Sequence, residues 1–153
     1  VIAGIDYVAS KGKPGDVANL SFAGAALESA DNAVLIAAKR GIKFAIAAGN
    51  NANDASNYSP ARVNATNVYT VSAFDQYGYM CFFSNYGSPP IKFSGPGENV
   101  WSLSNVGGIA LDSGTSMAAP HIAGLLLAGN ITEDGYVLAD KDSVPDPIAY
   151  WGH

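Results

Sequence analysis

Two short apolar runs, Val17-Ala18-Asn19-Leu20-Ser21-Phe22 and Lys43-Phe44-Ala45-Ile46-Ala47-Ala48, flank a segment of helical character. Each has the length of a buried strand, and turn residues bound them, Pro14-Gly15 before the first and Gly49-Asn50-Asn51 after the second. Between them, from Ala25 to Arg40, the apolar positions Leu27, Val34, Leu35 and Ala38 predict a helix, which Gly41 stops. Strand, helix and strand joined by short links make a βαβ unit. That unit implies parallel strands in a sheet covered on both faces.

The rest of the chain extends this pattern. Val1, Ile2, Ile5 and Val8 predict a helix over residues 1 to about 11, ending at Gly12. Val68 to Ala73 carries the β-branched and aromatic residues of a strand, and Asp75 to Gly97 reads as short strands and turns. From about Met117 to Ala128 runs a nearly all-apolar helix, a composition that predicts burial on every side. Beyond Gly129 the Asp, Glu, Gly and Pro content predicts a loose, exposed C-terminal extension. The expected fold is therefore α/β, a mostly parallel sheet flanked by helices over residues 1–128, followed by an extension over 129–153.

Composition narrows the partners. With 153 residues, 48% of them apolar, the chain can bury one core. Eight basic residues against 13 acidic ones give a net charge of −5, which argues against nucleic acid or an anionic membrane as partner. No uncharged apolar stretch reaches the ~18 residues that a membrane-spanning helix needs. Cys81 is the single cysteine, so no internal disulfide forms. The chain opens within a helical pattern and without a basic-then-apolar leader, so further sequence is expected upstream of Val1.

The chemistry concentrates in Gly114-Thr115-Ser116-Met117-Ala118-Ala119-Pro120-His121. A serine where a loop enters a buried helix has its oxygen at the positive end of the helix dipole. Backbone N–H groups there can stabilise an anion forming beside it. Gly114 permits close approach of a substrate, and Pro120 falls early enough in the helix to be tolerated. Taken alone, Gly-Thr-Ser is equally an ordinary helix N-cap, and Asn50 an ordinary turn residue.

The whole octapeptide, however, closely resembles the serine signature of the subtilisin-like proteases. Ala47-Ala48-Gly49-Asn50, which lies 116 − 50 = 66 residues before the serine, resembles that family's oxyanion-hole segment. Asn19 to Gly24 is similar to the edge along which the family binds peptides. Asn57-Tyr58-Ser59-Pro60-Ala61 and Phe83-Ser84-Asn85-Tyr86-Gly87 resemble its proteinase K-like branch. The resemblance implies a serine endopeptidase acting on polypeptides, with Ser116 as nucleophile and Asn50 as an oxyanion donor. It also implies that Ser21, Phe22 and Ala23 form one wall of the peptide cleft and Ala47, Ala48 and Gly49 the other. An extracellular setting follows from the family and from no signal in the chain.

Half of the family's site is missing from this sequence. The family's triad runs Asp, His, Ser along the chain, yet no histidine precedes Ser116. His121 follows it by five positions, about 500° round the helix, and is expected to face away. His153 is terminal, and Asp6 and Asp16 do not match the family's catalytic Asp segment. The missing Asp and His are therefore expected in an N-terminal half carried elsewhere, and this chain alone is expected to be inactive. Two other readings stand beside this one: a degenerate homologue that binds or scaffolds without cleaving, and a binding module with a coincidental motif. Catalysis calls for no cofactor. Structural calcium is common in the family, but Lys92 stands where one of its carboxylates would be wanted; the Asn and Asp of residues 50–57 are the remaining candidates.

Overall fold

The computed structural model describes residues 1–129 and 131–152. Along the chain come α1 (Ile2–Lys11), β1 (Val17–Leu20), β2 (Gly24–Ala25), α2 (Glu28–Lys39), β3 (Lys43–Ala47), β4 (Tyr58–Ser59) and β5 (Val68–Phe74). They are followed by β6 (Ile91–Pro96), β7 (Val100–Leu103), β8 (Ile109–Asp112), α3 (Thr115–Ala128), β9 (Ile131–Tyr136) and β10 (Pro147–Trp151). The apolar runs pair as the βαβ reading requires: β1 lies parallel to β3, with Asn19 opposite Ala45, and α2 is the crossover between them. Among the described residues the main sheet has six strands in the order β1-β3-β5-β6-β10-β9. Every neighbouring pair is parallel except β10 with β9.

Alternation along the central strands assigns the two faces. Phe44 and Ile46 of β3, with Val68 of β5, pack against Ile5 of α1 and Ala33, Val34, Ala37 and Ala38 of α2. Ala45 and Ala47, with Val71 and Ala73, point the other way and meet Ala118, Ala119, Ile122 and Leu126 of α3. Large residues fill one face, while alanines on the other let α3 lie close to the strands. Gly95 of β6 carries this furthest, since a Cβ there would come within 3.0 Å of the Ala118 carbonyl oxygen. The result is the expected α/β arrangement, a mostly parallel sheet with helices on both faces.

Two expectations need correction. The helix α3 is not buried all round: Ala118, Ala119, Ile122 and Leu126 are buried, but Leu127 is 71% exposed. It covers one face of the sheet, and a helix packed from one side keeps an outer side whatever its composition. Nor is the segment after Gly129 a loose extension. Strands β9 and β10 pair antiparallel and add to the sheet beside β6. Their polar sequence misleads because most side chains of β9 are exposed, so backbone pairing rather than an apolar pattern marks the strand. Strands β7 and β8 form a separate hairpin, and β2 pairs with β4.

Candidate active site

Strand β3 ends beneath the N-terminus of α3, and the two are tied together by one buried hydroxyl. Thr115 is 0% exposed. Its Oγ1 accepts the Gly49 N–H at 3.0 Å and donates to Asn50 Oδ1 at 2.9 Å. Asn50 Oδ1 also accepts the Thr115 N–H at 2.9 Å, so it caps one of the four N–H groups that a helix start leaves unpaired. A backbone N–H can only donate. The Asn50 amide is therefore oriented with oxygen toward the helix and Nδ2 free to act as a donor. Gly114, at φ +154°, shapes this end: a Cβ there would stand 3.1 Å from Asn50 Nδ2.

Ser116 follows in the first turn of α3. Its N–H has no acceptor among the described residues, whereas the Met117 and Ala118 N–H groups return to the Gly114 carbonyl at 2.9 and 3.3 Å. The Ser116 hydroxyl donates to the Ser21 carbonyl at 3.0 Å, and the Ser21 hydroxyl donates to the Ser116 carbonyl at 2.8 Å. Among the described residues no imidazole or carboxylate is hydrogen-bonded to Ser116. The one thiol offers no alternative nucleophile: Cys81 is buried, and burial first, with the charges of Glu98 and Asp75, pushes it up to about 12.

The segment from Ala48 to Asn53 is held from behind by Asn85, which is 0% exposed. Asn85 Nδ2 donates to the Ala48 carbonyl at 2.9 Å, and its Oδ1 accepts the N–H groups of Asn51 at 2.9 Å and Asn53 at 3.1 Å. Its own N–H donates to the Gly49 carbonyl at 2.9 Å. Gly49, at φ +104°, is required here, because any Cβ would collide with Asn85 Nδ2. Thr115 and Asn85 thus hold the backbone on either side of Asn50. Sequence reasoning read Thr115 only as a cap and Asn85 only as part of a branch marker.

The expected site residues divide into two groups. Ser116, Asn50 and Ser21 come together, and Phe22 and Ala23 line an adjoining apolar groove of about 720 Å³ with Val1, Ile2 and Leu27. Ala47 and Ala48 do not line an open wall. They are 1% and 0% exposed, because their side chains fill the core. The N–H and C=O of both Ala48 and Gly49 are already paired within the chain. Five positions leave His121 about 140° round the helix from Ser116, turned from it as expected, yet it still borders the site. It shares with Ser116, Met117 and Pro120 a groove of about 380 Å³ bounded by Val100, Trp101 and Ser102. Its Nδ1 is hydrogen-bonded to the Met117 carbonyl at 2.8 Å rather than to Ser116. His153 lies outside the described residues.

In the loop over residues 50–57, where the sequence left candidates for a cation, two side chains cap their own backbone. Asn53 Oδ1 accepts the Asp54 N–H and Asp54 Oδ1 the Ser56 N–H, each at 2.8 Å.

Comparison with known proteins gives the chain's family. The sequence model described as the subtilase family matches residues 1–130. Alkaline serine exoprotease A of Vibrio alginolyticus is 46% identical over 125 residues, covering 82% of this chain and 23% of that protein. The extracellular serine proteinase of Thermus sp. (strain Rt41A) is 37% identical over 153 residues, covering 99% and 36%. The crystal structure of a cold adapted subtilisin-like serine proteinase superposes with a TM-score of 0.87 at 32% identity, covering 99% of this chain and 60% of the other. The chain thus spans less than half the length of the curated relatives named here. Since the family match takes in both β3 with Asn50 and α3 up to Gly129, the chain belongs to the subtilase family.

Proposed function

We propose that this chain is the nucleophile-bearing part of a serine endopeptidase that hydrolyses polypeptides through an acyl-serine intermediate. The observation that supports it most is the pairing of a half-buried Ser116 hydroxyl with two oriented donors, Asn50 Nδ2 and the Ser116 N–H. In the reaction Ser116 Oγ would form a bond to the scissile carbonyl carbon, and the carbonyl oxygen would gain negative charge between these donors. The hydroxyl proton would leave for a base and pass on to the departing amine. Water would then release the acyl group by the same route in reverse.

Among the described residues no group is placed to be that base. Ser116 donates to the Ser21 carbonyl, which is far too weak a base to generate the alkoxide at neutral pH. The partner implied is a polypeptide carrying an Asp and a His, as in the subtilisin-like order of the triad. The Thermus relative is named an extracellular proteinase, and we place this chain in the same compartment.

A fluorophosphonate probe tests the proposal. The isolated chain should label at Ser116 slowly, and adding the N-terminal portion of a subtilase should accelerate labelling by orders of magnitude. Rapid stoichiometric labelling of the isolated chain would reveal an overlooked base. No labelling in the presence of the added portion would favour a degenerate homologue that binds without cleaving.

A further inference from the structure

The turn joining β9 to β10 gathers three carboxylates, Asp140, Asp142 and Asp146. Two of them accept local backbone N–H groups. Asp140 takes the Asp146 N–H at 2.8 Å, and Asp142 takes those of Val144 at 2.7 Å and Ser88 at 3.2 Å. Asp146 turns inward instead. It is 2% exposed, and its carboxyl meets the Ser72 hydroxyl of β5 at 2.5 Å.

What faces this carboxyl is neutral or of its own sign. Ser72 comes from β5, and its register partner on β6 is Ser94, a second buried hydroxyl. The charged groups acting on Asp146 are Asp140 and Asp142, both carboxylates. The neighbouring Lys141 reaches away, donating to the Phe82 carbonyl at 2.6 Å and the Ser84 carbonyl at 3.2 Å. An ionised carboxyl here would be a buried charge without a counter-charge, a costly arrangement.

The strands that this turn connects are bound more firmly to each other than to the sheet. Strands β9 and β10 pair at Pro147, Ala149, Tyr150 and Trp151, whereas among the described residues β10 meets β6 in register at Ile148, opposite Ser94. Besides Asp146 and the Ser88 and Lys141 contacts, the turn is held by Leu138, which exchanges backbone bonds with Gly78 and Met80 at 2.8 and 2.9 Å, and by the buried Val137, while Ile131 of β9 and Ala149 of β10 pack, partly buried, against the core beneath α3. We propose that residues 137–146 form a proton-operated latch: a neutral Asp146 carboxyl seats the β9–β10 pair on β6, and loss of its proton frees that pair while the rest of the sheet stays folded.

Burial foremost, with Asp140 and Asp142 adding to it and the Ser72 hydrogen bond opposing it, raises the Asp146 carboxyl from its ordinary 3.8 to about 7. The sign follows from that direction. Below the ordinary value both docked and free forms are protonated, and docking is strongest. Between the two values the free form releases a proton that the docked form keeps, so docking weakens by about tenfold per pH unit. Above the raised value both forms are ionised and the dependence ends. The latch does not rest on the reading of Ser116.

Hydrogen exchange on the full chain, read by mass spectrometry between about pH 4 and about pH 8 and corrected for intrinsic chemistry, tests it. Protection of residues 131–151 should fall about tenfold per pH unit up to about pH 7 and then level off. Protection of β3 and β5 should persist throughout. Asp146→Asn, which keeps the Ser72 bond and cannot ionise, should abolish the slope. Flat protection in the unaltered chain, an unchanged slope in Asp146→Asn, or simultaneous loss in β3 and β5 would each overturn the latch. Should that variant fail to fold, carboxyl ¹³C NMR of the unaltered chain decides. An Asp146 midpoint near the raised value supports the latch, and one at the ordinary carboxylate value sinks it.

Discussion

Asn50 is engaged through its side-chain oxygen while its Nδ2 is left to donate, and that asymmetry sets what the residue can do. Thr115 fixes its oxygen, Asn85 fixes the backbone before and after it, Gly49 leaves room for Asn85 to do so, and Gly114 removes the side chain that would crowd Asn50 Nδ2. A donor held this way costs no reorganisation when charge develops beside it. In the enzyme reconstituted with an N-terminal portion, Asn50→Ala should therefore lower kcat while leaving KM within a few-fold. The expected loss is about 10²–10³ in kcat, the scale known for one such donor in a subtilisin and carried over from it. Steady-state kinetics on a peptide substrate would check this. A change confined to KM would make Asn50 a substrate-binding residue instead.

At the scale of elements, β3 shows how one strand serves two unlike faces. Phe44 packs among Val34, Ile42 and Val68 beneath α1 and α2, while Ala45 meets α3 across a narrow gap. Phe44→Ala should cost about 3–5 kcal/mol by opening a cavity. Ala45→Leu, although apolar for apolar, should cost about 1–3 kcal/mol by pushing α3 outward. Urea denaturation with an unchanged slope would measure both, and a neutral Ala45→Leu would mean that α3 is loosely seated. The strand and its two neighbours were legible in sequence because a short, unbroken apolar run between turn residues suits a buried strand and little else. The juxtaposition of Asn50 with Ser116 was legible only through the resemblance of their two motifs to the subtilisin-like family, since by pattern alone Asn50 is a turn residue and Ser116 lies in an ordinary helix cap. What escaped was set by partners distant in sequence. Asn85 acts on a loop over thirty residues away, β9 is a strand by backbone pairing despite its polar side chains, and His121 borders the groove because a hairpin folds over the same helix side.

For the whole molecule, the question is which surfaces the chain leaves uncovered when alone. Strand β1 is one edge of the main sheet, with a ladder of N–H and C=O groups open on its outer side. On the β7–β8 hairpin Trp101, Leu103 and Ile109, with Val106 in its turn, are each at least 66% exposed. Leu127 adds to the apolar surface on the outer side of α3. A free strand edge and exposed side chains of this size favour association, since each can be covered by a second copy when nothing else covers it. Light scattering across a dilution series should therefore show the isolated chain passing from oligomers toward monomer as concentration falls. Replacing Trp101 and Leu103 with Ser should shift that balance toward monomer without lowering the melting temperature, because neither side chain contributes to the core. Adding the N-terminal portion of a subtilase should compete with self-association if it covers the same edge and hairpin. A monomer stable at all concentrations would mean that these surfaces are tolerated in water, and the case for a covering partner would then rest on Ser116 alone.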